Sequence, residues 1–144
     1  TDKLQLAENA YKLCLKLNNR YEPALFNLAK VYQRQEKWEE STRQFKNFLK
    51  VIGPRSSAYA EIGFNFIQQT DWKNAQIFFE KSVSLQPGNL NARISLAETF
   101  VNLGQVNKAR ELFQAILKMR PDPDQKEAVN KMLLILSDPK NTTP

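Results

Sequence analysis

The chain has 144 residues, 42% of them hydrophobic, which is enough for one domain with a substantial core. Its formal net charge of +6 comes from 21 basic and 15 acidic residues, a moderate excess that permits an acidic partner without requiring a nucleic acid. With no histidine and a single cysteine, Cys14, the chain excludes internal disulfides, histidine-based catalytic triads, and metal sites built from histidines or from cysteines alone.

The sequence repeats with a period of 34 residues. Trp38 and Trp72 are 34 residues apart, and each is followed seven residues later by a phenylalanine. Within each period the apolar residues recur at helical spacing on two successive segments, which predicts two helices joined by a short turn. Two of the columns that keep their chemical type are Ala7, Ser41, Ala75 and Ala109, which are small, and Tyr11, Phe45, Phe79 and Phe113, which are aromatic.

The predicted elements follow this period in chain order. They are the second helix of a truncated first repeat at 1–21, three complete repeats at 22–55, 56–89 and 90–123, a capping helix at 124–137 and a tail or linker at 138–144. Asp71 is expected to cap the helix that opens at Trp72. Asp122 and Gln125 are expected to form a capping box around Pro123.

The first predicted helix lacks a preceding partner helix. Cys14 shares the helical phase of Phe48 and Ile116, so we expect it to pack in the core. Leu6, Leu13 and Leu17 are expected to be exposed unless upstream repeats or a partner cover them. The sequence therefore favours either further repeats before Thr1, as a segment of a longer protein, or self-association through this amino-terminal edge.

The turn between the two helices of a repeat contains a glycine in only one unit. Gly104 fits a left-handed residue after a helix end. Glu36 and Thr70 stand at the equivalent positions, where a left-handed backbone costs up to about 1 kcal/mol each. After Pro121 the register fails because Lys131 falls where a small residue is needed, which indicates a terminal cap instead of another repeat.

The repeats resemble tetratricopeptide repeats over about residues 2–122. The third unit carries the signature most fully, with Tyr59, Ile62, Gly63, Phe66, Ala75, Phe79 and Pro87. The resemblance implies an all-α, right-handed α-solenoid of stacked antiparallel helix hairpins, about 3.5 repeats long plus the cap. It also implies a protein–protein interaction scaffold without catalytic residues, metal or cofactors, which holds a peptide segment or helix of another protein in its concave groove.

Helix phase predicts which side chains point into that groove. They lie on the first helices of the repeats, away from the packing columns. These groove residues are Phe26, Asn27, Lys30, Gln33, Arg34, Glu61, Phe64, Ile67, Gln68, Ile94, Ser95, Glu98, Val101 and Asn102. The apolar members predict that an amphipathic segment is bound, whereas the alternative is that Phe64 and Ile67 pack against a neighbouring helix. A clamp for a carboxyl terminus is disfavoured because Glu61 stands where a basic residue is needed.

Two further functional interpretations remain open at this level. Lysines at shared helical phases, such as Lys16, Lys50 and Lys118, form either a convex basic stripe for an acidic protein, RNA or a membrane surface, or a set of solubilising charges near helix ends. The aromatic residues fall on packing columns, so no specific nucleic acid is expected. The segment is also interpretable as the targeting or adaptor domain of an enzyme. No stretch has the length of a membrane-spanning helix, and we expect a cytoplasmic location.

Overall fold

Eight α-helices and no strands make up residues 1–138, the part of the chain that this computed structural model describes. The predicted tail from position 139 onward lies outside the described residues. The helices are α1 (Asp2–Leu17), α2 (Glu22–Arg34), α3 (Trp38–Ile52), α4 (Ser56–Gln68), α5 (Trp72–Leu85), α6 (Leu90–Asn102), α7 (Val106–Lys118) and α8 (Pro123–Ser137).

The helices pack in chain order. Three hairpins, α2–α3, α4–α5 and α6–α7, stack between α1 at one end and α8 at the other, and each helix contacts the next along the chain. This is the predicted all-α, right-handed α-solenoid of antiparallel hairpins. Two apolar clusters form its core, one around Phe45 between α2, α3 and α4 and one around Phe113 between α5, α6, α7 and α8.

Small residues allow the two helices of a hairpin to approach closely, and Gly63 shows why. A Cβ atom on this residue would lie 2.9 Å from ring atoms of Phe79, whose side chain is 2% exposed and therefore has no free space to move into. In the other two hairpins alanine occupies the equivalent positions, at Ala29 and Ala97, and is fully buried. The α4–α5 hairpin thus packs too tightly at this point for any side chain.

The turns inside the hairpins have left-handed backbones, as the sequence predicts. The φ angle is 59° at Glu36, 55° at Thr70 and 72° at Gly104. Only glycine adopts this conformation without a steric cost from Cβ. The β-branched side chain makes Thr70 the most strained of the three.

Replacing Thr70 with glycine is expected to stabilise the protein by about 1 kcal/mol, because the left-handed backbone then no longer crowds a Cβ atom. Urea unfolding followed by circular dichroism measures the change. Gly104→Ala is the matched variant and should shift the free energy of unfolding by a similar amount in the opposite direction. A lower stability for the Thr70→Gly variant would contradict this account of the turn.

The carboxyl-terminal helix closes the stack as a cap. Asp122 accepts a hydrogen bond from the backbone N–H of Gln125 at 2.8 Å, and the Gln125 side chain accepts one from the Asp122 backbone N–H, so the predicted capping box is confirmed. Val129 and Leu136 are buried against α7 and α6. Arg110 donates to the backbone carbonyl of Leu136 at 2.9 Å, which fixes the far end of α8.

The prediction for Cys14 is wrong: its side chain is exposed. The equivalent residue of the next repeat, Phe48, packs against Phe26 on the first helix of its own hairpin. Helix α1 has no such partner within the described residues, so the same helical phase faces solvent. On the same helix Leu6, Leu13 and Leu17 are 67%, 58% and 83% exposed.

Candidate functional site

The two sides of α4 face different environments. Phe64 and Phe66 are two residues apart and therefore point about 200° away from each other around the helix. Phe66 stacks on Phe78 of α5 with ring centres 5.5 Å apart. Phe64 lies on the opposite side, against the edge of Trp38 with ring centres 6.0 Å apart, and keeps 41% of its surface exposed.

The predicted groove residues differ widely in accessibility. Five of them are exposed, namely Asn27, Arg34, Phe64, Gln68 and Asn102. Eight are partly buried, namely Phe26, Lys30, Glu61, Ile67, Ile94, Ser95, Glu98 and Val101. Gln33 is 6% exposed, which leaves it no surface for a ligand, contrary to the expectation from helix phase. Its burial follows from a polar network between α2 and α4.

That network joins consecutive first helices. Lys30 Nζ bonds both carboxylate oxygens of Glu61 at 2.9 Å. Gln33 donates to Glu61 at 3.0 Å and to Asn65 Oδ1 at 2.7 Å. Asn65 is fully buried and donates in turn to Ser41 Oγ at 2.9 Å and Thr42 Oγ1 at 3.1 Å. The buried polar groups are thus paired with one another, as low dielectric surroundings require.

The amino-terminal half of the groove contains two adjoining cavities. One, of about 430 Å³, is floored by Phe26 and Phe48 and edged by Asn27, Arg55 and other polar groups. Phe26 is held there edge-on by Phe45 and Phe48, with ring centres 5.1 and 5.4 Å away. The other, of about 260 Å³, lies between α1 and α2 and is also lined by Asn27. Asn27 therefore lies between two cavities, which differ in the charge of the residues that line them.

The second hollow is more basic than the first. Lys3, Lys30 and Arg34 line it together with apolar atoms of α1, including those of Tyr11. Lys30 is paired with Glu61, whereas Lys3 and Arg34 form no ion pair within residues 1–138, so the uncompensated charge here belongs to these two. The ion pair of Lys30 with Glu61 also places a carboxylate close to this second cavity, and the carboxylate weakens the attraction of the cavity for an anion.

In the central and carboxyl-terminal part of the groove the apolar side chains are less available than Phe64. Ile67, Ile94 and Val101 are partly buried and pack against the core cluster around Phe113. The alternative interpretation, packing against neighbouring helices, therefore describes Ile67 better than Phe64. Phe64 is the apolar side chain of the groove with the largest exposed fraction.

Glu98 is the acidic counterpart of Phe64 on the next first helix, one period further along the chain. Its carboxylate has no ion pair or hydrogen-bonding partner among residues 1–138, and burial raises its pKa above the usual value of 4.5. Burying a carboxylate without a partner disfavours its charged form. The groove thus contains, within residues 1–138, a carboxylate without a partner one repeat after the exposed ring of Phe64.

A protein-family model described as tetratricopeptide repeat matches residues 66–132, which cover the second half of the stack. The resemblance to tetratricopeptide repeats is confirmed over this segment. Among solved structures, a MamA protein is similar over 98% of this chain and 75% of its own, with 18% identity and a TM-score of 0.83. YrrB, described as a tetratricopeptide repeat protein with an unusual peptide-binding site, is similar over 98% and 73%, with 19% identity and a TM-score of 0.76.

One curated relative is an enzyme, the human protein O-mannosyl-transferase TMTC3. It is 23% identical over 92 residues, which are 64% of this chain but 10% of the length of that protein. The matching family model describes a repeat and no catalytic domain. In the part of the chain that the structure describes, no cluster of three potential metal ligands occurs and no helix is both long and apolar enough to cross a membrane.

The polar network between the first two complete repeats was not predicted, although the repeat period contains a signal for it. Val31, Asn65, Thr99 and Leu133 share one column, and Asn65 is its only amide. A buried amide at an otherwise apolar or hydroxyl position needs partners from the adjacent repeat. Asn65 is therefore recognisable in the sequence as the residue that departs from the chemical type of its column.

Proposed function

We propose that the groove binds a peptide segment or helix of a partner protein, and that the protein is a scaffold within a larger protein or assembly. The observation that carries the proposal is the exposed ring of Phe64, with the carboxylate of Glu98, unpaired within residues 1–138, at the equivalent position of the next repeat. An apolar side chain of the partner would cover Phe64, and a lysine or arginine would pair with Glu98. YrrB, a structural neighbour with a peptide-binding site, supports the same mode of action.

Selection of random peptides displayed on phage tests this proposal without knowledge of the natural partner. The selected peptides are expected to combine apolar residues with at least one basic residue. Titration of the ¹⁵N-labelled protein with such a peptide should shift the amide resonances of α2, α4 and α6. Shifts confined to second helices, or selected peptides that lack any basic residue, would contradict the proposed groove.

The Glu98→Gln variant is expected to be more thermostable than the parent protein at neutral pH, with a gain that shrinks as the pH falls. The pKa of Glu98 is raised by burial, so the folded state binds a proton at a pH where the unfolded chain has released it. Between the two pKa values stability therefore decreases as the pH rises, and the glutamine removes this penalty. Thermal unfolding across pH measures the effect, and the exposed Glu127→Gln substitution is the control.

Self-association is a second candidate function, favoured by the exposed leucines of α1. Leu6 and Leu17 stand on one side of that helix with Leu13 between them, and all three are more than half exposed. If this edge joins two copies, light scattering should give a mass that falls to the monomer value when Leu13 is replaced with glutamate. The similarity to part of a transferase supports a third possibility, a repeat domain that serves an enzyme elsewhere in the same protein.

A further inference from the structure

A cluster of aromatic rings lies on the side of α4 that faces away from the groove. Tyr59 and Phe66 are seven residues apart and so lie on the same face of the helix. Both contact Phe78 of α5, with ring centres 6.3 and 5.5 Å from its own. All three rings are partly buried, and together with Lys46 of α3 and Lys81 of α5, which lie over the Phe78 ring, they define an outer cleft.

This outer cleft widens into a cavity at each end. The first, of about 300 Å³, lies between α3 and α4 and is lined by Arg43, Lys46 and Phe66, among others. The second, of about 530 Å³, lies beside α5 and is lined by Tyr59 and Lys81 together with apolar atoms. Those apolar atoms include Ile77 and Leu85, which are 46% and 50% exposed. The cleft therefore offers apolar surface in two recesses.

Basic side chains border the aromatic floor. Nζ of Lys46 lies 5.7 Å from the centre of the Phe78 ring, and Nζ of Lys81 lies 5.3 Å from the same centre. Lys46, Lys81 and Arg43 are exposed, and none of them forms an ion pair within residues 1–138. Cation–π contacts hold the two lysines over the ring and leave their charge uncompensated.

The acidic residues of the cleft are fewer than its cations. Glu39 lines the first cavity and Glu80 the second. The carboxylate of Glu80 accepts a hydrogen bond from Gln76 at 2.7 Å, which binds it along its own helix. Three cations against two carboxylates leave the outer cleft positively charged, in a chain whose formal net charge is already +6.

We propose that the outer cleft is a second protein-binding surface, which takes an acidic segment of a partner with apolar side chains inserted into its two recesses. The cations attract the carboxylates, and the recesses receive apolar atoms. A single-stranded nucleic acid fits less well, because Phe78 is already stacked by Phe66 and covered by lysines and so offers no free face to a base. A flat membrane surface does not reach into recesses of this kind. The inference is independent of the proposed groove.

A synthetic peptide of repeating Glu-Phe-Glu-Leu units, labelled with fluorescein, is the probe for this surface. Fluorescence anisotropy should detect binding at low salt that weakens at about 0.3 M salt, since exposed charges are then screened. A Gln-Phe-Gln-Leu peptide should bind about tenfold more weakly. The Lys46→Glu/Lys81→Glu double variant should show a similar loss, with an unchanged circular dichroism spectrum.

Two matched variants make the result specific. Lys118→Glu/Lys131→Glu changes the net charge equally at exposed positions outside the cleft and should retain affinity within about twofold of the parent protein. Phe64→Asp alters the groove and should also retain it. Equal losses of affinity in both double variants would overturn the proposal. So would amide resonance shifts of the ¹⁵N-labelled protein in the groove instead of around residues 43–46 and 78–81. Tighter binding of oligouridylate or of phosphatidylserine vesicles than of the acidic probe would overturn it as well.

Discussion

Replacing Asn65 with alanine is expected to lower the free energy of unfolding by about 2–4 kcal/mol. Asn65 is fully buried, accepts a hydrogen bond from Gln33 and donates to Ser41 and Thr42, at distances from 2.7 to 3.1 Å. The alanine removes all three bonds at once. It leaves the hydroxyl groups of Ser41 and Thr42 without this donor, leaves Gln33 with Glu61 alone, and opens a small cavity between the repeats.

Urea unfolding measures this loss, and two further variants separate its causes. Asn130→Ala changes the same residue type at an exposed position of α8 and should shift stability by no more than about 0.5 kcal/mol. In a double-mutant cycle with Gln33→Ala, the two substitutions should be coupled by about 1 kcal/mol or more, because they remove the same bond. A loss below about 1 kcal/mol for Asn65→Ala would mean that the network contributes little to the stability of this interface.

The fold was predictable because each position that determines the packing of the helices recurs in several repeats of the sequence. Small residues face the hairpin partner at Ala29, Gly63 and Ala97, and the aromatic column of Phe45 and Phe79 recurs at the same spacing. A column with several members averages out the deviations of any one residue, so the stacking follows from the period alone. The left-handed turns were likewise predictable from their equivalence to Gly104.

The incorrect predictions concern residues whose burial depends on the neighbouring side chains and not on the repeat period. Cys14 has the phase of a core residue, but its surroundings depend on a helix that the described chain does not provide before α1. Gln33 has the phase of a groove residue, yet its side chain reaches across to Glu61 and Asn65. Helix phase gives the direction of a Cα–Cβ bond, whereas accessibility depends on where a long side chain ends and what it meets.

The ion pair of Lys30 with Glu61 illustrates the same limit for the site. Both residues were predicted to face the groove, at separate places along it, and their side chains meet at 2.9 Å. Pairing removes the cation that an anionic ligand would need most. By contrast the ring of Phe64 is 41% exposed, and the carboxylate of Glu98 has no ion pair or hydrogen bond within residues 1–138. This difference makes these two residues the better candidates for contact with a ligand.

Replacing Phe64 with aspartate is expected to weaken binding of a peptide selected for the groove by about a hundredfold or more, while the fold is retained. The ring is 41% exposed and touches Trp38 at the groove surface. The substitution removes the apolar surface that a side chain of the peptide would cover, and it places there a carboxylate that must lose its water when that side chain binds. Isothermal titration calorimetry measures the loss.

The matched control is Ile77→Asp, which introduces the same charge at a residue 46% exposed on α5. It should bind the peptide as the parent protein does. If both variants lose affinity equally, the effect is one of net charge, and if neither does, the peptide binds away from Phe64.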